Sequence, residues 1–187
     1  MEREESVKGK ILFFSPCEGE PSYFTNSLIF MCDHGNEGAM GIIINRPLDL
    51  LLSEVLQTSG IKIGDIEIKD NLYIGGPVNP GSVFVLHSSE KEWGQTLKIN
   101  KDIYLSTSED ILENIAIGQG PKHYQITLGY SGWSANQLEE ELVENAWVIV
   151  PSNMDIIFDT EADKKIDAIS KIMGFDIRMI SPNYGNA

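Results

Sequence analysis

A chain of 187 residues can bury about two thirds of its unfolded surface in one domain, so it needs neither disulfides nor a metal to hold a core. Its formal net charge of −14, from 28 acidic against 14 basic residues with no Lys/Arg cluster, argues against a surface that attracts nucleic-acid phosphates or anionic membranes. No apolar run approaches the ~18 residues of a membrane span, and the N-terminus MEREESVKGK lacks an apolar signal core, so a cytoplasmic location is expected.

In chain order, a polar tail (1–8) precedes a first strand at 10–14 (KILFF), which ends in the turn-forming segment SPCEGEPS. Short apolar runs at 28–32 (LIFMC) and 41–44 (GIII), separated by DHGNEGAM, read as a β-hairpin whose glycines and asparagine supply positive φ. Asp49 is placed to cap a short helix carrying Leu51, Leu52, Val55 and Leu56, with Gly60 as its stop. Alternation of apolar and polar residues over 61–68 (IKIGDIEI) predicts another strand, and the runs 72–74, 83–87, 97–99 and 103–105 continue the sheet. Ser108 then caps a helix bearing Ile111, Leu112, Ile115 and Ala116, which Gly118 ends.

The stretch 129–147, GYSGWSANQLEEELVENAW, is flanked by two runs with the look of interior strands, YQITL at 124–128 and WVIV at 147–150. Ser134 and Gln137 have capping-box spacing, which predicts a helix starting at Ser134 after a tight corner at Gly129 and Gly132. Glu139, Glu140 and Glu141 read as compensation of the helix dipole on a solvated face. Beyond it, Thr160 is spaced from Asp163 as the N-cap of a last helix carrying Ile166, Ile169, Ile172 and Met173, with Gly174 as its stop. A polar tail (181–187) closes a chain read as one domain of the α+β class, since helices come singly among many strands.

The side chains with chemical promise are few. Cys32 beside His34 could form a nucleophile or part of a metal site, although a structural role at the hairpin end is the plainer reading. Cys17 and Cys32 are both read as thiols. Arg46, between Asn45 and Pro47, could grip a carboxylate or phosphate bidentately, or pair with one of the many acids. Gly75-Gly76-Pro77 lacks the helix and lysine of a phosphate loop and reads as a turn; His87 and His123 read as structural, and Tyr130 and Trp133 as core or as a ligand platform. No Ser-His-Asp spacing, nucleophile elbow or HExxH helix occurs. No catalytic residue, metal ligand or cofactor is assigned.

Several blocks together resemble the YqgE/AlgH family of bacterial proteins. They are Cys32-Asp33-His34 with Glu37-Gly38-Ala39-Met40-Gly41, Ile44-Asn45-Arg46-Pro47-Leu48, Gly75-Gly76-Pro77-Val78, Val85-Leu86-His87, Ser106-Thr107-Ser108 with Asp110-Ile111-Leu112, and 129–147. The resemblance implies a compact α+β domain with a coiled, bifurcated, mainly antiparallel sheet closing partly into a barrel, helices around it, and no established biochemical activity. Members are often called transcriptional regulators because of a genetic link to alginate production. The sequence departs from the family pattern in its first loop, at Glu20-Pro21-Ser22-Tyr23-Phe24, and at the C-terminus, where Gly185-Asn186-Ala187 replaces Gly-His-Ala.

The expected function is a non-enzymatic regulatory or interaction module acting through a protein partner or a small anionic ligand. The candidate groove comprises His34, Asn45, Arg46, Gly75, Gly76, Tyr130 and Trp133. Two alternatives stand beside it: an enzyme using Cys32 and His34 or Arg46 on an anionic substrate, and a direct DNA-binding regulator, which the charge disfavours.

Overall fold

The computed structural model describes residues 6–14 and 22–180. Cys17, nearly all of the SPCEGEPS loop, most of the N-terminal tail and the tail 181–187 lie outside the described residues. The strands are β1 (Ile11–Phe14), β2 (Leu28–Gly35), β3 (Gly38–Ile43) and β4 (Pro47–Leu51), followed by helix α1 (Leu52–Thr58). Next come β5 (Asn71–Ile74), β6 (Val78–Ser88), β7 (Thr96–Lys98), β8 (Ile103–Ser106) and helix α2 (Glu109–Ala116). The chain ends with β9 (Tyr124–Ser134), α3 (Gln137–Val143), β10 (Trp147–Val150), a π-helical turn at Asp155–Asp159 and α4 (Lys165–Met173). The class is the expected α+β, with a mainly antiparallel sheet that branches at β9, whose partners are β3, β6 and β5.

Two compact units divide the chain, one made of Met1–Asn45 with Ser131–Ala187 and the other of Arg46–Tyr130. In the first, the antiparallel order is β10-β1-β2-β3-β9. The expected hairpin is present, but its strands reach into the predicted turn: Gly35 pairs with Gly38, leaving only Asn36 and Glu37 to reverse the chain. Gly38 has φ +124°, and a Cβ there would lie 2.2 Å from the Trp133 carbonyl oxygen, so neither the conformation nor the space admits a larger residue. The core packs Leu12, Ile29, Met31 and Ile43 with Trp133, Leu138 and Trp147.

Four expectations in this unit need correction. β9 continues through Gly129 and Gly132 to Ser134, so there is no corner there and α3 starts at Gln137. The predicted Gln137 reach-back does form, its Oε1 accepting from the Ser134 N–H at 3.0 Å, but the serine hydroxyl donates to the same oxygen at 3.1 Å instead of capping the helix. β10 is not interior: its one strand partner among the described residues is β1. Thr160 ends the π-helical turn, and α4 follows a short 3₁₀ turn at Ala162–Lys164. Gly174 stops α4 in the left-handed region as expected. Lys165 of α4 is buried, donates from Nζ to the Ile157 carbonyl at 2.6 Å, and has its pKa lowered to about 8 by burial.

In the second unit β6 pairs antiparallel with β8 and β9, β8 with β7, and β5 runs parallel to β9 while pairing with β4. Asp49 lies within β4 and caps nothing; α1 starts three residues later, with Glu54 Oε2 accepting from the Leu51 N–H at 3.1 Å. Residues 61–68 form no strand. Their alternation arises because Ile61 and Ile68 both bury against Leu56, Ile111 and Ile115, while the Gly64 N–H bonds to the Ala116 carbonyl at 2.9 Å instead of to a strand neighbour. α2 begins after Ser108 as predicted, but the serine hydroxyl makes no capping bond to the helix and instead accepts from the Gln95 N–H at 3.1 Å.

Candidate functional site

In the first unit, helix α3 is bound to the sheet by two of its three consecutive glutamates. Glu139 Oε1 lies 2.9 Å from His34 Nε2, and the His34 side chain is 6% exposed. His34 Nδ1 accepts from the backbone N–H of Val7 at 3.1 Å, so the ring proton sits on Nε2 and the imidazole donates to Glu139. Two residues along, Glu141 Oε2 accepts from the indole N–H of Trp133 at 2.8 Å and from that of Trp147 at 2.6 Å, while its Oε1 accepts from Gln137 Nε2 at 2.9 Å. The two indoles meet edge to face, with centroids 5.7 Å apart. The solvated-face reading of the glutamates is therefore corrected: Glu140 is exposed, whereas Glu139 and Glu141 fasten the helix.

Cys32 sits at a β-bulge, where the β2–β3 register shifts between Met31 and Asp33. It is fully enclosed, its Sγ 3.6 Å from the Phe30 carbonyl, and burial pushes its thiol far above the ordinary range. Asn45 is a loop tie: its Oδ1 accepts from the Leu28 N–H and its Nδ2 donates to the Asn26 carbonyl, both at 2.9 Å. Among the described residues no group of three or more His, Cys, Asp or Glu is placed to hold a metal ion.

Arg46, Gly75, Gly76 and Tyr130 belong to the second unit. The Arg46 carbonyl accepts from the Ile74 N–H at 2.9 Å. Gly75 lies where a Cβ would meet the Gly129 carbonyl at 2.2 Å, so its glycine lets β5 approach β9. Gly76 has φ 157°, and Tyr130 meets Phe84 edge to face at 5.6 Å. His87 is buried; its Nδ1 donates to the Ser88 carbonyl and its Nε2 accepts from the Ser106 hydroxyl, both at 2.8 Å, with Thr96 Oγ1 2.7 Å from Ser106 Oγ.

His34 and His87 therefore carry their protons on opposite ring nitrogens. Long-range ¹H–¹⁵N spectra are expected to show the Nε2–H tautomer at His34 and the Nδ1–H tautomer at His87; the same pattern at both would refute one of the two networks. Burial also holds the His87 pKa below its ordinary 6.5. The folded state then binds that proton less readily than the unfolded chain, so this share of stability is present above pH 6.5 and lost as the pH falls through the folded value. Urea midpoints measured at pH 7 and pH 5 should differ less for His87→Gln than for the wild type; equal differences would remove His87 as the source.

Residues 11–178 match the family model described as AlgH-like. A UPF0301 protein of Chromobacterium violaceum is 38% identical over 183 residues, covering 97% of this chain and 98% of its own. One from Marinomonas sp. is 37% identical over 183 residues, covering 97% of each.

The chain belongs to the AlgH-like family.

The solution structure of the AlgH protein from Pseudomonas aeruginosa shares 33% identity, covers 100% of both chains and superposes with a TM-score of 0.79. A crystal structure of a protein from Corynebacterium diphtheriae is similar in fold, with a TM-score of 0.66 at 18% identity over 91% of this chain and 90% of that chain. The resemblance read from the sequence blocks is thus the family the comparisons find. What residue-level reading of this AlgH-like chain missed is the Glu139–His34 and Glu141–tryptophan bonds. A usable signal was present: Trp133 and Trp147 flank a helix whose apolar side carries a glutamate, and buried indole N–H groups require acceptors.

Proposed function

We propose that this protein is a cytoplasmic, non-enzymatic regulatory or interaction module working through a protein partner or a small anionic ligand, its link to transcription running through that partner. The observation that carries this reading is the engagement of its reactive groups. His34 and His87 each have both ring nitrogens bonded within the fold, and Cys32 is enclosed with its thiol pushed up. Groups so occupied serve packing and helix placement before they can serve as proton shuttles or nucleophiles. The net charge of −14 weighs against direct DNA binding, whose affinity rests on phosphate neutralisation.

A thermal-shift panel of nucleotides, divalent metals, phosphorylated metabolites and organic acids tests the reading. A ligand at 100 times its Kd adds about 2.7 kcal/mol, which moves Tm by roughly 5–10 °C in a chain of this length. An anion-induced shift abolished by Arg46→Ala supports the ligand branch, and a flat panel leaves the protein branch. Turnover of any panel compound that disappears in His34→Ala or Cys32→Ser overturns the proposal. Independently, iodoacetamide is expected to label Cys32 at neutral pH at least about a hundredfold more slowly in the native protein than in urea, read by peptide mass spectrometry. Equal rates would restore a reactive thiol.

A further inference from the structure

Asn136, Glu140, Val143 and Glu144 of the α3 segment, together with Glu139, which also reaches His34, line a shallow depression. Val143 is 73% exposed; left in water, it forfeits the burial free energy of a valine side chain. Leu138 and Leu142, on the opposite side, already pack against the core. The helix has seven residues, too few to persist alone, yet the bonds of Glu139 and Glu141 described above hold it in place. Its outward face is therefore preorganised, so a partner docking there has little ordering entropy left to offset.

Charge identifies the kind of partner. Between Lys122 and Lys164 the chain has eight Asp and Glu and no Lys or Arg. Glu140 and Glu144 are exposed and make no ion pair among the described residues. We propose that this face docks a basic amphipathic segment of a partner protein. That segment sets an apolar side chain against Val143 and places Lys or Arg against Glu140 and Glu144. The inference rests on the interaction-module reading and names the partner's chemistry. A second copy of the chain would bring a net charge of −14 against −14, nucleic acids and anionic lipid surfaces are repelled, and no described carboxylate cluster is built to hold a metal ion.

The test is titration of ¹⁵N-labelled protein with a synthetic leucine/lysine amphipathic peptide and, as control, a leucine/glutamate peptide of the same pattern. Expected are amide shifts centred on 136–144 with the basic peptide alone, weakening as salt rises. Affinity should fall roughly tenfold or more in Glu140→Lys/Glu144→Lys and in Val143→Asp, but not in Glu109→Lys/Glu113→Lys on α2. The spectra of the free variants report whether each is folded. No shifts, shifts spread over every acidic surface, equal losses in both double variants, or the same shifts with Ca²⁺ alone would each overturn the docking face. None of these outcomes touches the module reading, which stands or falls on the turnover and thermal-shift panel.

Discussion

Glu141→Ala is expected to cost roughly 3–5 kcal/mol, because one truncation leaves two buried indole N–H groups without an acceptor, and each such loss costs about 1–3 kcal/mol. Trp133 and Trp147 are 6% and 5% exposed, so water cannot replace the carboxylate without opening the core they share with Leu138. At about 2–4 °C per kcal/mol for a chain of this size, Tm should fall by roughly 6–20 °C. The near-UV circular dichroism of the packed indoles should weaken with it. Glu141→Gln keeps a carbonyl oxygen at the same reach and should lose about half as much. An alanine variant melting with the wild type would show that the two short bonds contribute nothing net.

Gly129→Ala is the second substitution with a large expected effect, again roughly 3–5 kcal/mol. Gly129 has φ +70°, and a Cβ there would stand 2.5 Å from the Gly76 carbonyl oxygen and 2.8 Å from that of Val78. Both obstacles are backbone, so relief requires moving a strand end. Gly60→Ala is the matched control: its φ is +78°, but nothing lies within 4 Å of the added methyl. It should cost only the conformational share, about 1–2 kcal/mol. Urea midpoints of the two variants separate strain from collision, and equal losses would show that the β9 approach relaxes freely.

Much of the fold was legible where hydrophobic pattern and local chemistry agree. The buried start of β2, the four apolar residues of β10, the position at which α2 starts after Ser108 and the glycine stops at Gly60 and Gly174 follow from periodicity and residue type, although the Ser108 hydroxyl does not cap the helix. The errors arose where local rules compete with distant partners. Ser134 and Gln137 do interact at capping-box distance, but the pairing of Gly38 with Ser134 keeps the serine in a strand. The alternation in 61–68 reflects two isoleucines buried at opposite ends of a coil, which period-two reasoning cannot tell from a strand. At the candidate site, His34 and Trp133 stood out by residue type. Their partners did not, because Glu139 is 105 residues from His34 and only the β2–β3–β9 pairing brings α3 to it.

The chain leaves the first unit at Asn45 and re-enters it at Ser131, which sets an order on synthesis. Everything the 46–130 unit needs emerges from the ribosome in one uninterrupted length. The first unit has to keep β1, β2 and β3 waiting until β9 and β10 are made, because Ile11 pairs with Val150 and Gly38 with Ser134. During that interval the edge of β1 that will meet β10, and the bed that will receive Trp133 and Trp147, are open to whatever chaperone or stray strand is nearest. The vulnerable species of this protein is thus the nascent chain awaiting β9 and β10, and translation speed across 46–150 governs how long it exists.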